Sequence, residues 1–69
     1  MSPLELLVNG EPRTIASPAT LADLLASLAL DPRMVVVELN REIVRRTELE
    51  QVQLRSGDRV ELVHFVGGG

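Results

Sequence analysis

The stretch LELLVNGEPRTIASPATLADLLASLALDP, residues 4–32, decides the fold. Its first half reads as a hairpin. Leu4, Leu6 and Val8 alternate on one face with Leu7 on the other, the period of a strand with one buried side. Asn9-Gly10 follows, and both central positions of a type I′ turn need positive φ, which these residue types accept most readily. Glu11 to Ile15 return as a second strand, and Pro12, which has no backbone donor, is confined to a sheet edge or a non-bonded position. The second half changes period. Leu21, Leu24, Leu25 and Leu28 fall at i, i+3, i+4 and i+7, one face of a helix. Thr20 stands where it can cap, and Asp23 completes a capping-box placement that also suits the positive helix end. Pro32 is expected to stop the helix, because the residue before a proline leaves the α region.

Working outward, MVVVELN reads as a strand with Val35, Val37 and Leu39 on one face and Val36 and Glu38 on the other. Asn40-Arg41 turns the chain into a brief strand, EIV. RRTELEQVQL fits no clean period and is expected to form a short helical turn and a loop. Ser56-Gly57-Asp58 is a turn signal, and the last strand runs from Arg59 to about Val66. A single apolar helix stripe wants one sheet face to lie on. The expected class is therefore α+β: a hairpin, a helix crossing over, and further strands in one mixed sheet. That is the β-grasp, or ubiquitin-like, plan. A folded domain over residues 1–66 and a glycine tail over 67–69 are expected.

Composition removes several functions. A chain of 69 residues is one small domain with a thin core. It has no cysteine, so neither a disulfide framework nor thiolate chemistry is available. Every basic residue is arginine, which closes Schiff-base chemistry to the side chains. The net charge of −3 argues against nucleic acid, and Phe65, the sole aromatic, cannot make a stacking platform. No apolar run reaches the ~20 residues of a membrane span, and no N-terminal signal is read; a soluble, cytoplasmic protein is expected. The single histidine, His64, has no nucleophile or ligand set around it in the pattern. No metal site and no bound cofactor are expected, and the chain does not read as an enzyme.

The end of the chain, HFVGGG, is the feature left over. Val60 and Leu62 are expected against the helix. Glu61, Val63 and Phe65 then face the other way, where an exposed apolar pair would dock a partner; the alternative is a twisted strand whose Phe65 caps the core edge. Glu61 and Asp58 are the acids that could steer a basic partner surface. Gly67 and Gly68 make a thin stalk, and Gly69 offers a main-chain carboxylate with no Cβ beside it. Such a stalk fits a narrow channel in another protein. A carboxylate must first become a mixed anhydride before it is transferred or sulfurised, and nothing in this chain binds a nucleotide. Three readings stay open from the residues: a carrier activated by another enzyme, a ubiquitin-like modifier, and an interaction module whose glycines are only an end.

VNGEP, TLADLL, VVVELNREIV and SGDRVELVHFVGGG, in that order over nearly the whole chain, resemble the ThiS family of sulfur carriers in thiamin biosynthesis. The resemblance implies a β-grasp fold. It also implies that an E1-like, ThiF-type enzyme uses ATP to adenylate the carboxylate of Gly69, with Gly68 the other member of the terminal pair and Gly67 extending the stalk. A cysteine desulfurase pathway would then supply sulfur for a thiocarboxylate, and a ThiG-type thiazole synthase would consume it. Family members often carry proline at the position of Arg45 and tryptophan near Leu49; both departures lie far from the tail in sequence. The same fold and tail occur in carriers for molybdopterin and tRNA thiolation, which remain the alternatives, with ELNREIV and FVGGG favouring the thiamin branch.

Overall fold

The computed structural model describes residues 2–65. The first hairpin forms as read: β1 (Leu4–Val8) pairs antiparallel with β2 (Glu11–Ile15), Val8 facing Glu11 across the turn. Asn9 and Gly10 sit at φ 51° and 81°, the left-handed conformation that their short or absent side chains tolerate. The helix α1 (Leu21–Ser27) starts where its cap places it. Asp23 N donates to Thr20 Oγ1 at 3.1 Å, and Thr20 N donates to Asp23 Oδ2 at 2.9 Å, satisfying two orphan donors reciprocally.

The helix ends earlier than Pro32 dictates. Ala29 adopts φ 58°, Ala29 N donates to Ala26 O at 3.0 Å, and Leu30 N donates to Leu25 O at 2.9 Å. That pair of bonds is a Schellman ending, closed by an alanine where glycine is usual, so no sequence signal marked it. Pro32–Met34 then form a 3₁₀ turn, which takes Met34 out of the strand expected to contain it. Asp31 caps that turn, accepting from Arg33 N at 2.9 Å and pairing with the Arg33 guanidinium at 2.9 Å.

β3 (Val35–Leu39) and β4 (Glu42–Val44) make the second hairpin, with Asn40 and Arg41 at φ 51° and 73° in its turn. A 3₁₀ turn over Arg46–Glu48 is the short helical turn expected there. The following loop lies across the start of α1: Leu21 N and Ala22 N donate to Val52 O and Leu49 O, and Leu54 N donates to Ala19 O at 2.8 Å. Leu49 and Leu54 are thereby buried, although no period in the sequence placed them in the core.

β5 (Arg59–His64) closes the sheet, and Val66, where the last strand was expected to end, lies outside the described residues. The strand order is β2-β1-β5-β3-β4, with β5 parallel to β1 and antiparallel to β3. Leu6, Val8, Val35, Val37 and Val60 from the sheet pack with Leu21, Leu24 and Leu25 from α1. This is the β-grasp arrangement: one helix on one face of a five-stranded mixed sheet, the opposite face left to solvent. Among the described residues no helix is long and apolar enough to cross a membrane.

Candidate functional site: the open sheet face at the last strand

The last strand is central, hydrogen-bonded on both sides, so its alternation translates directly into two faces. Val60 is fully buried and Leu62 packs against the core. Glu61, Val63 and Phe65 consequently turn away from α1. Val63 retains 58% of its surface and Phe65 48%. Phe65 does not cap the core edge; its backbone N–H continues the ladder, donating to Met34 O at 2.8 Å.

Two neighbours enlarge this patch. Val36 lies directly across from Val63. Ile43, on the edge strand β4, is 70% exposed, more than either residue picked from the sequence. EIV was too short to show a period, so nothing in the sequence said which way Ile43 points. A shallow depression of about 450 Å³ runs between Ile43, Val36 and Phe65, with Arg33, Arg45 and Arg46 along its rim. Arg45, one of the departures noted from the family pattern, therefore stands beside the patch in space.

Glu61 lies directly opposite Glu38 on the open face, where like charges repel. Neither has a cation within 4.0 Å among the described residues; Arg41 and Arg59 border the same hollow. Asp58, the other acid expected to steer a partner, also braces the fold. Its Oδ1 accepts from Asn40 Nδ2 at 3.1 Å and its Oδ2 from Arg55 N at 2.8 Å. His64 points to the helix side of the strand, across from Val35. It borders a small hollow with Glu11, Arg13 and Leu30, on the face opposite Val63 and Phe65.

Both turn asparagines hold the last strand, a role the sequence hid. Asn9 N donates to Val60 O at 2.8 Å, Asn9 Oδ1 accepts from Leu62 N at 2.7 Å, and Asn9 Nδ2 donates to Leu62 O at 3.2 Å. Asn40 repeats the device one turn away: Asn40 N donates to Arg59 O at 2.8 Å and Asn40 Oδ1 accepts from Arg59 N at 3.0 Å. The usable signal was asparagine at the first position of each two-residue turn. Among the described residues no group of three or more His, Cys, Asp or Glu is placed to hold a metal. Gly67, Gly68 and Gly69 lie outside the described residues.

Comparison with known proteins gives a consistent picture. The model of the ThiS family matches residues 6–69. A sulfur carrier protein ThiS from Bacillus subtilis is 48% identical over 50 residues, covering 72% of this chain and 76% of that protein. A thiazole synthase from Paramagnetospirillum magneticum is 42% identical over 66 residues, 96% of this chain. The chain spans 20% of the length of that synthase and of another from Magnetococcus marinus. The crystal structure of a thiamine biosynthesis protein, ThiS, from Geobacter metallireducens superposes with a TM-score of 0.80 at 35% identity, covering 96% of this chain and 100% of that one.

Proposed function

Because this chain belongs to the ThiS family, we propose that it is a sulfur carrier of thiamine biosynthesis and a substrate of other enzymes, not itself an enzyme. The observation that carries this reading is that the family match runs through Gly69. The reacting group is the carboxylate of Gly69. A carboxylate oxygen attacks the α-phosphorus of ATP held by an E1-like, ThiF-type partner, and pyrophosphate leaves. A persulfide sulfur from a cysteine desulfurase pathway then attacks the acyl carbon and the bond to AMP breaks. A thiol then cleaves the acyl disulfide so formed, leaving as a mixed disulfide with the former sulfur donor and releasing the thiocarboxylate. Gly67 and Gly68 present no Cβ to a narrow channel, and their ordering on entry costs entropy that docking elsewhere must offset.

The docking surface in this reading is the open face described above: Val63 and Phe65, with Glu61 at its margin and Ile43 added by the structure. Supporting the thiamine branch over molybdopterin or tRNA thiolation, relatives at about 40% identity include proteins named thiazole synthase, and a ThiG-type synthase is the proposed acceptor of the sulfur. The chain's lack of lysine bars isopeptide chains on itself in the competing modifier reading. The test is intact-mass analysis after incubation with ATP, a ThiF-type enzyme and a sulfur source. Replacement of one terminal oxygen by sulfur is expected, and its loss on deletion of Gly68 and Gly69. A mass that never changes with a competent partner present rejects the carrier reading.

A further inference from the structure

We propose that Asn9 is a self-modification site, cyclising onto Gly10 and deamidating, and that its hydrogen bonds to the last strand set the rate. In the reaction the Gly10 backbone nitrogen attacks Asn9 Cγ. The Cγ–Nδ2 bond breaks, and Nδ2 departs as ammonia with the Gly10 amide proton. Water then opens the succinimide: cleavage at Cγ leaves aspartate, and cleavage at the main-chain carbonyl leaves isoaspartate. No co-reactant other than water is needed. Asn9 and Gly10 are both exposed, and Gly10 has no Cβ to shield its nitrogen.

The fold opposes that attack. Asn9 Oδ1 and Nδ2 both bond to Leu62, at 2.7 and 3.2 Å, so the carboxamide lies over the last strand and must release it before Cγ can meet Gly10 N. Deamidation therefore proceeds through local opening of the turn, at a rate reduced by the closed fraction. The second turn is a built-in control. Asn40 has the same φ of 51° and a comparable pair of side-chain bonds. It is followed by Arg41, whose side chain crowds the attacking nitrogen.

The products damage the strand that leads to the glycines. Aspartate at this position turns an oxygen toward Leu62 O where Nδ2 donated. Isoaspartate routes the main chain through Cγ, adding an atom to a two-residue turn and removing the amide altogether. Either way the bond from Asn9 to Leu62 O, three positions before Phe65, is lost.

Wild-type protein and a synthetic peptide of residues 4–15 are aged side by side in mildly alkaline buffer and followed by peptide mapping. Asn9 is expected to convert measurably in the protein but roughly tenfold more slowly than in the peptide, with Asn40 intact. The aged protein and Asn9→Asp are both expected to melt below wild type. Any of four results overturns the proposal: equal rates in protein and peptide, no conversion of the protein while the peptide converts fully, Asn40 reacting as fast as Asn9, or unchanged melting of the aged protein and Asn9→Asp.

Discussion

Val63→Asp separates folding from docking on the last strand. Val63 keeps 58% of its surface exposed in the free protein. Fully burying a valine is worth ~1.5–3 kcal/mol, so covering the remaining share in a complex contributes about 1–1.7 kcal/mol. At about 1.4 kcal/mol per decade, that is roughly a 5- to 20-fold loss of affinity, before any penalty for the carboxylate. In the free protein the same change costs only the strand preference, up to ~1 kcal/mol, or about 4–8 °C in a domain of this size. Val60→Asp is the matched contrast three positions earlier. Val60 is fully buried, and an unpaired charge there costs several kcal/mol, enough to unfold the domain. Far-UV circular dichroism melts give the first comparison, and calorimetric titration against the ThiF-type enzyme gives the second. If Val63→Asp unfolds as Val60→Asp does, the faces of the strand are misassigned. If it melts normally and binds with unchanged affinity, the open face is not the docking surface.

Phe65→Ser is expected to melt near wild type and to weaken the same titration, since Phe65 is 48% exposed. Asn40→Ala removes the bonds to Asp58 and to Arg59 N and puts at φ 51° a residue that tolerates the left-handed region less well than asparagine, a combined loss of roughly 2–4 kcal/mol; Asn40→Gly relieves the backbone part, so denaturant titration should find it the milder of the two. Ala29→Gly supplies the residue type that φ 58° favours and is expected to stabilise by ~0.5–1 kcal/mol, read as a rise in Tm; a fall would show that the helix ending is not the Schellman form. Hydrogen bonds from the Arg33 side chain and backbone hold the Asp31 carboxyl at about 2, below its ordinary 3.8. The depressed value means that this stabilisation is present above about 3.8 and is lost as pH falls toward 2. NMR titration of the Asp31 carboxyl should show that midpoint, moving back up in Arg33→Ala.

Local rules were readable wherever one residue type has one strong physical preference. Asn-Gly set the first turn, Thr20 and Asp23 started the helix, and the leucine spacing chose the face it buries. The alternation of the last strand turned Val63 and Phe65 outward because a two-residue period leaves a central strand no other choice. What escaped were features made by neighbours distant in sequence. Leu49 and Leu54 are core because their loop crosses the helix start, which no period encodes. Asp58 looked like a free turn acid until Asn40 was brought to it across 18 positions.

The sequence by itself determined the α+β class, the family likeness and a run of three glycines over residues 67–69. Those depend on backbone preferences and residue spacing, which are local. Tertiary structure alone decided which strand sits at the centre, and therefore what surrounds the open face. Inserting β5 between β1 and β3 set Val36 beside Val63 and Glu38 against Glu61. It also let two turn asparagines bind one strand from either side. Pairing partners are set by closure of the whole sheet, and no window of the chain contains that information.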